Sequence, residues 1–77
     1  MNSSNEIQGD GSFEFLLNGR PHRVNCGTTV ADLLKHLKVG SAVAVEIDGE
    51  LIVADRHAFC TLRESNKVEV VTLAGGG

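Results

Sequence analysis

Two dipeptides restrict the architectures open to this chain. Asn18-Gly19 and Asp48-Gly49 each separate two runs in which apolar residues alternate with others. Such pairs favour the type I′ turn, whose two central residues both need positive φ, so each marks a tight hairpin. Before the first turn, residues 12–17 place Phe13, Phe15 and Leu17 on one face, with Glu14 and Leu16 on the other. Residues 20–25 form the return strand, and Pro21, which lacks an amide hydrogen, must sit where the ladder needs no donor. Residues 42–47 turn Val43, Val45 and Ile47 to one side, and Leu51, Ile52 and Val53 make a short return. A last strand runs over residues 67–73, with Val68 and Val70 inward and Glu69, Val71 and Leu73 on the other side.

Between the hairpins the period changes. Val30, Leu33, Leu34 and Leu37 recur at i, i+3, i+4 and i+7, the spacing of one helical face. Thr29 followed three residues later by Asp32 resembles a capping box with a shorter acid than usual. Lys35, His36 and Lys38 place positive charge at the negative end of the helix dipole, and Gly40 is the expected stop. Residues 54–66 show no period; Phe59 and Leu62 are the expected core anchors there, and Ser65-Asn66 a turn with Asn66 tolerating left-handed backbone. One apolar stripe is available to cover one sheet. The expected fold is therefore α+β, one main helix packed on a mixed sheet of four or five strands. The first and last strands pair in parallel at its centre, which is the β-grasp arrangement of ubiquitin-like proteins.

Composition narrows the functions. Seventy-seven residues make one domain, and a chain this short buries only about 60% of its unfolded surface, leaving little room for a deep active site. Residues 1–11 are polar and read as a flexible leader, residues 12–74 as the domain, and residues 75–77 as a flexible glycine tail. The start lacks the basic and apolar segments of a signal peptide, so a cytoplasmic location is expected, with no membrane association. Net charge is −3, and Glu6 and Asp10 in the leader account for two of those charges. A near-neutral domain has no footprint for nucleic acid. Cys26 and Cys60 have no zinc-type spacing and read as reduced thiols; His22, His36 and His57 form no metal pattern. No nucleophile–base pair and no phosphate-binding glycine loop is present, so the chain is not expected to be an enzyme or to bind a cofactor or metal itself.

What remains is the ending, VTLAGGG. Glycine serves where backbone must pass close to another surface, because it has no Cβ to clash. Three glycines directly after a strand put a terminal carboxylate on a slender arm, the form of a substrate for another enzyme.

With FEFLLNG, GTTVADLLKHL, VAVEIDGELIV and VEVVTLAGG in that order, the chain resembles the ThiS sulfur-carrier family of thiamine biosynthesis, within the ubiquitin-like ThiS/MoaD superfamily. The resemblance covers roughly residues 13–76. It departs at Val53-Ala54-Asp55-Arg56, where the family often has Val-Pro-Arg, and in its third glycine. The resemblance implies a mechanism. A ThiF-like enzyme using ATP and Mg adenylates the Gly77 carboxylate, sulfur from a donor such as a cysteine desulfurase replaces the adenylate, and a ThiG-like thiazole synthase consumes the resulting thiocarboxylate. Gly75 and Gly76 are the residues threaded into each partner. Leu16, Val71 and Leu73, turned away from the helix, are the expected docking patch. A MoaD-like carrier for molybdopterin, a carrier for tRNA or cysteine sulfur, and a ubiquitin-like modifier or binding module share parts of this pattern and remain open at this point.

Overall fold

The structure, a computed structural model, describes Gly9, residues 11–40 and residues 42–73. Most of the leader read over residues 1–11, and the tail over residues 75–77, lie outside these. Five strands form, in chain order β1 (Ser12–Leu17), β2 (Arg20–Asn25), β3 (Val43–Ile47), β4 (Glu50–Ile52) and β5 (Lys67–Thr72). One helix, α1 (Val30–Leu37), lies between β2 and β3, and a short 3₁₀ helix (Ala54–Phe59) precedes β5. The sheet order is β2-β1-β5-β3-β4, and β1–β5 is its one parallel pair. This is the expected β-grasp arrangement.

Both hairpin turns take the left-handed backbone that their sequences favour: φ is 50° at Asn18 and 84° at Gly19, 53° at Asp48 and 87° at Gly49. Asn18 and Asp48 also bind β5. The Asn18 amide N–H donates to the Val68 carbonyl at 2.8 Å. Its side-chain Oδ1 accepts from the Val70 N–H at 2.8 Å, and its Nδ2 donates to the Val70 carbonyl at 3.3 Å. The side chain thereby prolongs the parallel ladder where β1 has already turned away. At the start of β5, Asp48 Oδ1 accepts from the Lys67 N–H at 2.9 Å and Oδ2 from Asn66 Nδ2 at 2.9 Å.

The helix begins at the capping box. Thr29 Oγ1 accepts from the Asp32 N–H and Asp32 Oδ2 from the Thr29 N–H, both at 3.1 Å. These bonds, from the Thr29 backbone first, hold the Asp32 carboxyl below its ordinary pKa of 3.8. A carboxyl depressed in the folded state stabilises the fold above its unfolded pKa, and that contribution is lost as acid protonates it. The helix ends at Leu37, three residues before Gly40. Lys38 is the left-handed cap, with φ 58° and its N–H shared between the Leu34 and Lys35 carbonyls.

Phe13, Phe15, Val30, Leu33, Leu34, Val45, Ile47, Leu62 and Val68 form the core. Leu17, Leu37 and Val70, expected inside, are only half-buried at its margin. An eight-residue helix is about 12 Å long and cannot cover six-residue strands of about 20 Å. Phe59 is not a core anchor: it is 79% exposed. With three residues per turn, the 3₁₀ helix puts His57 and Cys60 on one stripe facing inward and Phe59 on another. The His57 ring is buried and its Nε2–H donates to the Ile52 carbonyl at 2.9 Å. Leu62 does enter the core, because its segment is strapped to the start of α1. The Val30 N–H reaches the Cys60 carbonyl and the Leu62 N–H the Thr28 carbonyl, both at 2.9 Å. In the turn before β5 the left-handed residue is Ser65, φ 69°, instead of Asn66, whose Oδ1 accepts from the Arg63 N–H.

Two outcomes test this account. Leu33, 1% exposed, should cost about 2–5 kcal/mol when replaced by Ala, read from a urea titration. Asn18→Gly keeps the positive φ and removes only the side-chain clamp on Val70, so it should cost about 1–2 kcal/mol. An unchanged denaturation midpoint would show that the clamp adds nothing.

Candidate functional site

The candidate site grows from the end of β5. In the antiparallel ladder with β3, Val45 faces Val70, Ala44 faces Val71 and Val43 faces Thr72. Alternation then sends Val68, Val70 and Thr72 to the helix side and Lys67, Glu69, Val71 and Leu73 to the open face. The last described bond of the ladder joins the Leu73 N–H to the Ala42 carbonyl at 2.7 Å. Gly75, Gly76 and Gly77 lie outside the described residues. The described backbone is part of the sheet up to Leu73.

Val71 and Leu73 are 55% and 59% exposed and stand on the open face, as their parity requires. Leu16 shares that face but is half-buried, with Pro21 opposite it on β2 and Lys67 opposite it on β5. Lys67 and Val71 are four residues apart on one strand, so Leu16 sits about 13 Å from the level of Val71. The residue between them on β5 is Glu69. The apolar neighbours of Val71 are instead Ala44 across the ladder and, one strand further, Leu51, which pairs with Glu46 and is 58% exposed. The sequence alone marked Leu51 as strand. Only the pairing of β3 with both β4 and β5 brings it to this face.

The register also sets Glu46 directly opposite Glu69. Neither carboxylate has an ion-pair partner; the one ion pair among the described residues joins Arg23 to Glu14 at 3.6 Å. Like charges directly opposite on a sheet destabilise it by a few tenths of a kcal/mol, to about 1. Pairing across strands far apart in the chain has no local signature, which is why spacing could not have found this juxtaposition.

Elsewhere the chemistry is sparse. His22 lies edge-on to Phe15, ring centres 5.5 Å apart, and 6.2 Å from His36. Cys26 is exposed and Cys60 half-buried, both as thiols. No group of three His, Cys, Asp or Glu side chains among the described residues could hold a metal ion. No helix among them is long and apolar enough to cross a membrane. The open face instead carries exposed apolar side chains, Leu51, Val71 and Leu73, beside Glu46 and Glu69.

Comparison with known proteins matches this geometry. Over 62 residues the chain is 37% identical to a thiazole synthase of Magnetococcus marinus, a match that takes in 79% of this chain and 19% of that one. The chain thus spans about a fifth of that relative's length. The crystal structure of the thiamine biosynthesis protein ThiS from Geobacter metallireducens superposes with a TM-score of 0.72 at 30% identity, covering 84% of this chain and 100% of that one. The model of the ThiS family matches residues 15–77, from the middle of β1 through the three glycines. The chain belongs to the ThiS family.

Proposed function

We propose that this chain is a sulfur carrier whose Gly77 carboxylate is adenylated, converted to a thiocarboxylate and used to deliver sulfur for thiazole formation in thiamine biosynthesis. The observation that carries this reading is the family match running through residue 77, which takes in all three glycines. The thiazole synthase relative supports thiazole as the destination over molybdopterin or tRNA. The carrier is a cosubstrate, consumed and regenerated, in the cytoplasm.

The chemistry belongs to partners. A ThiF-like enzyme with Mg-ATP joins the carboxylate oxygen to AMP and releases pyrophosphate. The terminal sulfur of a persulfide, charged by a cysteine desulfurase, attacks the acyl carbon and AMP leaves. A thiol then cleaves the S–S bond, leaving sulfur on the carbonyl. A ThiG-like thiazole synthase takes up that sulfur. The carrier's part is reach and recognition. The anchored β5 fixes the backbone as far as Leu73, and glycines allow a narrow channel to close around bare backbone. Leu16, Val71 and Leu73 form the docking surface of the open face, with Val71 and Leu73 nearest the tail.

Two experiments bear on this. Incubated with the adenylating partner, ATP and a sulfur source, the chain should gain mass equal to replacing one oxygen by sulfur. Gly76→Val should fold normally and remain unmodified, and amidating the C-terminus should likewise abolish the gain. Sulfur transfer by a chain lacking residues 75–77 would refute the mechanism. Val71→Asp and Leu16→Asp introduce a charge that must be desolvated on docking. Each should weaken partner binding roughly 10-fold or more while the domain still folds, and the Val71 variant should be the weaker binder of the two.

A further inference from the structure

The Asn18-Gly19 turn is a reactive pair as well as a conformational one. An asparagine amide is open to attack by the backbone nitrogen of the residue that follows it, and glycine there puts no side chain in the way of the cyclic imide that forms. Asn18, Asn25 and Asn66 lie among the described residues, and the structure separates them by what that nitrogen is doing. After Asn25, the Cys26 N–H donates to the Gly11 carbonyl at 2.7 Å, and after Asn66 the Lys67 N–H donates to Asp48 Oδ1 at 2.9 Å. After Asn18, the Gly19 N–H has no acceptor among the described residues, and the space where a Gly19 side chain would stand is empty. Both turn residues are exposed. The restraint acts on the other reactant: the Asn18 amide is held on Val70 through both Oδ1 and Nδ2.

We propose that Asn18 is a deamidation site gated by the fold, with water as the co-reactant and the hold on β5 as what is lost. The Gly19 nitrogen gives up its proton to a base in solution and bonds to Asn18 Cγ. The Cγ–Nδ2 bond breaks, and that nitrogen leaves as ammonia with a proton taken from water. Water then opens the imide at either carbonyl, giving aspartate or, with the backbone rerouted through the side chain, isoaspartate. No electron is transferred. The side chain must leave Val70 before the ring can close, so the clamp slows the reaction that destroys it. Aspartate keeps an acceptor for the Val70 N–H but turns a second oxygen, in place of a donor, towards the Val70 carbonyl. Isoaspartate adds a backbone atom to the turn and loses both bonds. β1 pairs with β5 only as far as Leu17–Val68, so nothing else among the described residues binds Val70 from that side. The modification thus loosens the end of β5 while its ladder with β3 remains.

The test incubates the chain folded and, separately, unfolded in guanidinium chloride, in the same mildly alkaline buffer. Peptides are then mapped for the mass gain of an amide becoming an acid. Unfolded, Asn18 should react first of the asparagines. Folded, it should react roughly 10-fold more slowly, because opening must break two neutral hydrogen bonds, and still ahead of Asn25 and Asn66. The isoaspartate form, separated by ion exchange, should exchange its Val70 amide hydrogen roughly 10-fold faster than the unmodified chain and unfold at a lower temperature, with the aspartate form between them. Equal rates at Asn18 in the folded and unfolded chains would overturn the gating. Reaction at Asn18 confined to the unfolded chain, or Asn25 or Asn66 reacting first in the folded one, would overturn the site. Unchanged Val70 exchange in the isoaspartate form would overturn the loss of hold on β5.

Discussion

The structure depends on the last strand being held between two earlier hairpins. β5 enters the centre of the sheet with β1 on one side and β3 on the other. It pairs directly with β1 only at Leu16–Lys67 and Leu17–Val68. Beyond that point the Asn18 side chain takes over, giving Val70 the donor and acceptor that a strand would have supplied. Asp48 does the corresponding work where β5 begins. Two turn residues thus set both the turns and the position of a strand far away in the chain. Without them the sheet would be two hairpins with an exposed seam, each bearing unpaired edge groups.

That constraint separates the two faces. On the helix side, Phe13, Phe15, Val45, Ile47 and Val68 meet Val30, Leu33 and Leu34, and apolar burial there supplies the stability. On the other side the same strands present Leu16, Leu51, Val71 and Leu73 among carboxylates. The core therefore tolerates exposed apolar side chains on the opposite face, because alternation along each strand keeps the two sets of side chains apart. The short helix is sufficient because the 3₁₀ segment and Leu62 close the end it leaves open, tied to its first turn by backbone bonds.

A central C-terminal strand also bears on function. A strand at the edge of a sheet can fray, whereas β5 is paired with β3 from Val68 to Thr72 and flanked on its other side by β1 at Lys67 and Val68 and by the Asn18 side chain at Val70. On the carrier reading proposed above, the segment after Leu73 starts from a fixed point of the sheet, so docking of the open face and delivery of the terminus become one event.

Much of this was legible in the sequence because it is local. Asn-Gly and Asp-Gly encode positive φ, a stripe at 3.6-residue spacing encodes one helical face, and Thr29 with Asp32 encodes a cap. Each works within a few residues, so the helix, the hairpins and the outward direction of Val71 and Leu73 followed from spacing. Other features were decided by packing. Phe59 is a large aromatic placed outside by the three-residue turn of a 3₁₀ helix, and Leu17, Leu37 and Val70 are half-buried because the helix is short. Lys38 instead of Gly40 ends the helix, at the position where the cap bonds to Leu34 and Lys35 can form. The clamp of Asn18 on Val70 and the opposition of Glu46 and Glu69 come from strand register between distant segments. Sequence spacing determines which way a side chain points within its own element; only the tertiary pairing of elements decides what it points at, because those neighbours are set by hydrogen bonds between parts of the chain that share no local pattern.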